Sequence, residues 1–376
     1  MKIYLVGGGT GGHFFPLIAV ARALRKIGQE EKMISLELIY AAPSPYDKTL
    51  LVQEDIKYRY IPAGKVRRYF SFWNFTDFFK TGFGFVIAIF RVFLDFPDVI
   101  FSKGGYASFP ILLAARIFRI PLIIHESDVV PGRINDWAKN FADKIAISFA
   151  ESLSYFPEEK TALAGNPVRK EILGGSKEES AAIFGLEPNL PTILVIGGSQ
   201  GAQRMNDAIL DALESLLKNY QIVHQAGSNN FQEVKKRTDY ILDKNDFKSR
   251  YHLSGFLDEG AMRGAGFISD LIVARAGAGA IFEIAAWGKP SILIPLRDSA
   301  QNHQRENAYA YARAGAAEVI EEENLTKNLL VFQIDKIIND KVAREKMVGA
   351  AFSFAKIDAA EKIAREILKL GLKHAQ

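Results

Sequence analysis

The 376-residue chain contains no cysteine. That absence excludes a disulfide framework, a Cys-ligated zinc site, an iron–sulfur cluster and a thiol nucleophile, and it fits a reducing compartment. Long hydrophobic runs are missing too. The longest, Gly82 to Phe90, is bounded by Thr81 and Arg91 and falls far below the ~20 residues of a membrane-spanning helix, so no transmembrane segment is expected. The start, Met1 to Val6, runs straight into Gly7, too short an apolar stretch for a signal peptide, and a secreted protein is not expected. There is no G-K-[ST] and hence no P-loop. Nor is there an Asp-x-Asp run to hold a metal against a diphosphate, so neither a metal nor a cofactor is expected. Charge of one sign is scarce as well. Lys and Arg number 47 against 43 Asp and Glu, a net +4 that gives no argument for nucleic acid as a partner.

What is present is an ordinary globular composition, 48% hydrophobic and 24% charged, in a chain long enough for two domains. Short apolar runs alternate with amphipathic stretches, the pattern of βα units around parallel sheets. Strands are predicted at Ile3 to Val6, Leu36 to Tyr40, Tyr58 to Ile61, Val99 to Phe101, Leu122 to Ile124 and Lys144 to Ile147. A second series runs through Thr192 to Ile196, Gln221 to His224, Tyr251 to Leu253, Leu271 to Val273, Ser291 to Ile294 and Glu318 to Ile320. Both series open as strand, glycine loop, helix. We therefore expect an α/β chain of two Rossmann-like domains, residues 1–166 and 167–355. The boundary follows Gly165-Asn166-Pro167, where proline biases its predecessor toward extended backbone. A terminal helical segment, 356–376, is expected to pack back on the first domain.

Three glycine loops carry the chemistry. Gly7, Gly9 and Gly12 match G-x-G-x-x-G, but a dinucleotide site also wants an acid ending the second strand, and that strand reads Leu38-Ile39-Tyr40-Ala41-Ala42. What remains is a backbone that approaches a ligand closely, followed by His13. An imidazole there is either a helix-cap or core residue, or a base able to take a proton from a hydroxyl at neutral pH. Gly197-Gly198-Ser199-Gln200-Gly201 offers N–H groups at a helix N-terminus, a general anion site. Ala274-Arg275-Ala276-Gly277-Ala278-Gly279-Ala280 leads into a helix carrying Glu283, whose carboxylate suits a pair of ribose hydroxyls. Each cluster taken singly also reads as a tight βα turn.

Taken together, Gly8 to His13, Gly104-Gly105-Tyr106, His125-Glu126-Ser127, Gly165 to Arg169, Gly197 to Gly201, Arg275-Ala276-Gly277 and Gln304 to Ala308 follow one order and spacing. In this the chain resembles the MurG family of peptidoglycan glycosyltransferases, which convert lipid I to lipid II, from residue 2 to about 345. The resemblance implies a GT-B fold, two Rossmann-like domains facing across a cleft. The donor UDP-GlcNAc would lie mainly on the C-terminal domain and the lipid I acceptor on the N-terminal one. It implies that Thr10, Gly11 and Gly12 approach the sugar and acceptor diphosphate, with His13 as candidate base. Arg169 and Ser199 would address the donor diphosphate, and Leu257 would meet uracil through its backbone. Ala278, Gly279, Ala280, Ile281, Phe282 and Glu283 would hold phosphate and ribose, Glu283 on the ribose hydroxyls. His303 and Gln304 would bind sugar hydroxyls. Departures from the family pattern fall at Ala276, Ala280 and Phe282, where hydroxyl residues are common, and at Asp128, where asparagine is usual. A carboxylate can only accept hydrogen bonds, so Asp128 binds the sugar differently, shares the base role, or is a plain surface residue.

Ten of the 27 phenylalanines lie between residues 70 and 96. Phe72, Phe75, Phe79, Phe83, Val86 and Phe90 recur at helical spacing, which for an ordinary amphipathic helix reads as core. Phe70, Trp73 and Phe78 lie off that stripe beside Lys65, Arg67 and Arg68, which suits an interfacial anchor on an anionic membrane surface. A peripheral location on the cytoplasmic face of the membrane is expected, with other cell-wall synthesis proteins as further partners. Two alternatives stay open, a glycosyltransferase acting on another lipid such as diacylglycerol and a non-catalytic sugar-nucleotide-binding scaffold.

Overall fold

A computed structural model describes residues 1–64, 72–198 and 202–374, with the backbone alone for 72–79. The chain divides into two compact units, Met1–Val168 with Lys356–Gln376, and Arg169–Ala355.

The first unit holds seven strands, β1 (Lys2–Val6), β2 (Glu37–Ala42), β3 (Lys57–Tyr60), β4 (Val99–Ser102), β5 (Leu122–Glu126), β6 (Lys144–Ile147) and β7 (Thr161–Leu163). They form one sheet in the order β3-β2-β1-β4-β5-β6-β7, with every pair parallel. β7 is absent from the expected series. It is three residues long at the sheet edge and mostly exposed, so it shows no apolar run. The second unit holds β8 (Thr192–Ile196), β9 (Gln221–Gln225), β10 (Tyr251–Ser254), β11 (Leu271–Ala274), β12 (Ser291–Leu293) and β13 (Ala317–Val319). Their order is β10-β9-β8-β11-β12-β13, again all parallel.

Both faces of each sheet are covered, which is why the strands read as continuous apolar runs. In β1 the pleat sends Ile3 and Leu5 to one core and Tyr4 and Val6 to the other. The helix Gly11–Glu30 covers the first face together with the terminal helix Ala359–His374. Ala360, Ile363, Ala364, Ile367 and Leu368 all enter that core, the i, i+3, i+4 spacing of a helix with one buried face.

In both sheets the order of the strands reverses between the first and fourth strands of the unit, β1 and β4 in one and β8 and β11 in the other. In such open parallel sheets the loops at that switch point, at the carboxyl ends of the strands, are where ligands bind. Here they are Gly7–Gly12 and Gly104–Gly105 in the first unit, and the loops after Ile196 and Ala274 in the second.

Candidate active site

In the first unit, Thr10 takes an extended conformation and begins the helix Gly11–Glu30 without a side-chain cap. The Thr10 carbonyl accepts from the His13 and Phe14 amides, both at 3.2 Å. Gly11 and Gly12 are then the first-turn residues whose N–H groups a helix leaves unpaired. His13 Nδ1 lies 3.2 Å from the Gly8 carbonyl and 3.4 Å from Thr10 Oγ1. A carbonyl can only accept, so Nδ1 carries the proton and Nε2 holds the basic lone pair. Gly105, at φ +80°, lets that ring pack close, since a Cβ there would lie 3.2 Å from His13 Cε1.

Beneath these loops lies a buried polar network that the sequence reading missed. Lys103, 2% exposed at the end of β4, donates from Nζ to His125 Nδ1 at 2.7 Å, Ser127 Oγ at 2.5 Å and Asn166 Oδ1 at 2.9 Å. Three acceptors match an ammonium's three donors. Burial nevertheless pulls its pKa down to about 7, against the opposing pull of Glu126 and Asp128. His125 Nε2 donates to the Gly165 carbonyl at 2.9 Å, and burial holds that ring neutral, well below its usual range. Glu126 accepts from the amides of Asp128 and Gly132 and from Asn135 Nδ2. Burial and the Asp128 charge push its pKa up to about 7. Asp128 therefore sits in a loop whose backbone is held by Glu126, partly exposed, while His13 packs on the loop after the neighbouring strand. A lysine ending the apolar strand Val99-Ile100-Phe101-Ser102 just before two glycines was the available signal.

In the second unit the helix Ala278–Trp287 starts at Gly277 without a side-chain cap. Gly277 has φ −69°, which any residue adopts, and a Cβ at Gly277 or Gly279 would meet nothing within 4 Å. Neither backbone conformation nor packing within the described residues calls for glycine there. The expected run 278–283 is not uniform. Ile281 and Phe282 are core side chains, Phe282 packed on Phe354, and the Ile281 amide already donates to the Gly277 carbonyl. Ala278, Gly279 and Ala280 hold the first-turn N–H positions.

Glu283 lies one turn further on, with its side chain 18% exposed. It receives Arg169 Nη2 at 3.0 Å, while Arg169 Nη1 reaches Glu259 at 3.4 Å. Arg169 is 6% exposed at its side chain, so in this state its guanidinium positions two carboxylates. Arg275 is likewise buried, pairing with Glu322 and donating to the Ile294 carbonyl at 3.1 Å. The Leu257 amide donates to Gln225 Oε1 at 3.0 Å. Ahead of the helix His303–Arg313, Gln301 and Asn302 both adopt left-handed conformations, φ 55° and 56°, a strain that accumulates at functional loops. His303 Nδ1 donates to the Ala300 carbonyl at 2.6 Å, and Gln304 Oε1 accepts from the Leu296 amide, which leaves the Gln304 amino group as a donor. Ser199, Lys65, Arg67, Arg68, Phe70 and the side chains of Phe72 and Trp73 lie outside the described residues.

The two halves of the chain match the glycosyltransferase family 28 domains, the N-terminal domain over residues 3–147 and the C-terminal domain over residues 192–363. A relative from Clostridium kluyveri is 35% identical over 98% of this chain and 99% of its own. It is named UDP-N-acetylglucosamine–N-acetylmuramyl-(pentapeptide) pyrophosphoryl-undecaprenol N-acetylglucosamine transferase. The chain belongs to this family, MurG. A Clostridium botulinum member with the same name is 36% identical over 98% of both chains. Among solved structures, Acinetobacter baumannii MurG superposes with a TM-score of 0.71 at 25% identity, covering 98% of this chain and 99% of that one. The fold is accordingly GT-B, and the chain is a family 28 glycosyltransferase.

On the helix 72–95 the core reading of the phenylalanine stripe does not hold for its described members, while the side chains of Phe72, Phe75 and Phe79 lie outside the described residues. Phe83, Val86 and Phe90, whose spacing reads as core, are 64%, 62% and 60% exposed, and Phe93 and Leu94 join them at 60% and 56%. Among its described side chains, residues 80–95, the buried side of the helix is made by Gly84, Ala88 and Val92. Among the described residues no helix is long and apolar enough to cross a membrane.

Proposed function

We propose that the protein is an inverting glycosyltransferase that moves GlcNAc from UDP-GlcNAc to the C4 hydroxyl of MurNAc in undecaprenyl-pyrophosphoryl-MurNAc-pentapeptide, lipid I, giving lipid II. The observation that carries this reading is the 35% identity to a transferase of that name over 98% of the chain. The first unit supplies the acceptor groups. His13 Nε2 takes the C4 hydroxyl proton as that oxygen attacks the sugar's anomeric carbon, and the amides of Gly11 and Gly12 face the acceptor diphosphate. Asp128 is the rival base. The second unit supplies the donor groups. Amides of Ala278 to Ala280 and the Gly197-Gly198-Ser199 loop stabilise the departing UDP, Glu283 takes the ribose hydroxyls, and His303 and Gln304 hold the sugar. Arg169 acts by orienting Glu283, a role supported by their 3.0 Å pair.

The membrane surface is the partner that the lipid acceptor calls for. The exposed face of Phe83, Val86, Phe90, Phe93 and Leu94, flanked by exposed Lys80 and Arg91, supports peripheral binding to an anionic leaflet on the cytoplasmic face. Incubation with UDP-GlcNAc and separate lipid acceptors, with products resolved by mass, tests the reading. Transfer to lipid I alone is expected. Transfer to diacylglycerol, or binding of UDP-GlcNAc without transfer to any acceptor, would overturn it.

A further inference from the structure

Ser127 follows the carboxyl end of β5 and stands half-buried beside Asp128 at the rim of the first sheet. Its hydroxyl is the outermost of the three groups that Lys103 Nζ reaches, at 2.5 Å, the other two, on His125 and Asn166, being buried. An ammonium carries three donors and no lone pair, so the Ser127 oxygen accepts and its own proton cannot turn back toward Lys103. Ser127 donates to no acceptor among the described residues. Asp128 is pinned through its main chain, its amide donating to Glu126 Oε1 at 3.1 Å and its carbonyl accepting from Ser152 Oγ at 2.9 Å. The rim thus sets a directed hydroxyl donor beside a carboxylate that only accepts. A phosphate would take the Ser127 proton but be repelled by the Asp128 charge. Sugar hydroxyls, which both give and take, satisfy the two side chains together.

We propose that Lys103 is a positioning residue that turns the Ser127 hydroxyl outward, and that Ser127 with Asp128 binds the sugar of the acceptor rather than its diphosphate. The proposal rests on the acceptor reading above. Lys103, 2% exposed, touches no ligand and acts through Ser127. Its charge polarises the hydroxyl and so strengthens the bond that Ser127 gives.

The test is calorimetry on the full chain at pH 6, below the Lys103 pKa of about 7, where the ammonium predominates. Two soluble probes are compared, a short-prenyl analogue of lipid I and the matching prenyl diphosphate without the sugar. Ser127→Ala should weaken the analogue about tenfold, the loss of one charge-assisted hydrogen bond, and leave the sugarless diphosphate within about twofold. Ser127→Thr, which keeps the hydroxyl, should stay within about threefold of the parent. Lys103→Met should weaken the analogue by a similar factor to Ser127→Ala, and the double variant should bind no more weakly than the worse single one. Equal losses for both probes would put Ser127 on the diphosphate and overturn the proposal, as would parent-like binding in Ser127→Ala. Additive losses in the double variant, the mark of a merely structural lysine, would overturn the role of Lys103.

If circular dichroism shows that Lys103→Met fails to fold, the ratio of parent to Ser127→Ala affinity at pH 6 and pH 9 replaces it. A neutral Lys103 can take the Ser127 proton inward, so the ratio should fall toward one at pH 9. The titratable groups around Lys103 are His125, held neutral, and Glu126 and Asp128, and Ser127→Ala keeps all three. An unchanged ratio would overturn the role of Lys103. Failure of the parent to bind the lipid I analogue at all would instead sink the acceptor reading on which the proposal stands.

Discussion

Replacing Phe83, Phe90 and Phe93 together by serine tests the exposed face of the helix 72–95. These rings are 64%, 60% and 60% exposed. At ~200 Å² per side chain, each presents ~120 Å² to water. At ~25 cal/mol per Å², withdrawing all three completely into lipid is worth about 9 kcal/mol. Insertion to about half that depth gives 4 to 5 kcal/mol, more than a thousandfold in partitioning. Lys80 and Arg91, both exposed, add about 1 kcal/mol each, and salt screens that part alone.

Sedimentation with anionic vesicles across a salt series separates the two terms. The parent should lose part of its binding as salt rises and keep a salt-insensitive remainder, whereas the triple variant should lose that remainder. Each ring still has ~80 Å² covered, and Phe93 packs on Phe118 with ring centroids 5.8 Å apart, so the variant should fold with stability reduced by at most about 6 kcal/mol on the same scale. If it unfolds, the single changes Phe83→Ser and Phe90→Ser give the same comparison, and a loss above about 3 kcal/mol in either means that the ring is covered in the folded protein. If it folds and still sediments at high salt, the apolar anchor is not this face. A parallel change of Phe70, Phe72 and Trp73 to serine then reports whether the preceding segment carries it.

Four further outcomes are expected. Glu283→Ala should weaken UDP binding about ten- to a hundredfold by calorimetry, through loss of charge-assisted bonds to the ribose. Arg169→Ala should weaken UDP binding too, and the double variant should be no weaker than the worse single one, because the two side chains act as one pair at 3.0 Å. If His13 is the base, His13→Ala should lower kcat about a hundredfold or more with UDP affinity near normal, and Asp128→Asn should be mild; the reverse order in steady-state kinetics would transfer the role. Burial draws the Lys103 pKa from 10.5 to about 7, so above about 7 the folded state holds fewer protons than the unfolded one. Its contribution to stability should therefore rise with pH from about 7 to about 10.5, and because Lys103→Met lacks that slope, the parent-minus-variant difference in Tm should rise over the same range.

The parallel sheets were legible because both of their faces are buried. Strands such as Ile193-Leu194-Val195-Ile196 carry no polar interruption, and the glycines that follow β1 and β8 mark the carboxyl ends of those two strands. Once two such series stand in line, the switch points of the sheets follow from topology. The glycine loops fall there without any knowledge of side-chain contacts. Of the two readings of the helix 72–95, the core reading of its stripe fails at Phe83, Val86 and Phe90 for the opposite reason. Its wide apolar surface has one side packed through Gly84, Ala88 and Val92 and another in water. Periodicity marks which residues share a side and carries no sign for which side faces inward.

Pairings between distant polar residues left no periodic trace. Arg169 meets Glu283 across 114 positions, Lys103 meets Asn166 across 63, and Gln225 meets Leu257 across 32. In the second and third pairs one partner stands at or just past a strand end, where the sheet delivers it to the rim, and the other comes from a loop that the topology folds over that rim. A polar side chain closing an apolar strand is the sequence sign they share. Lys103 follows Val99-Ile100-Phe101-Ser102, and Gln225 follows Ile222-Val223-His224. Such residues are too costly to bury unpaired. Their presence at a strand terminus therefore announces that a partner exists. Identifying that partner needs the register of the neighbouring strands, which puts His125 beside Ala146 and Leu253 beside His224. The glycines could be read one loop at a time, whereas the polar network is a property of the assembled sheet.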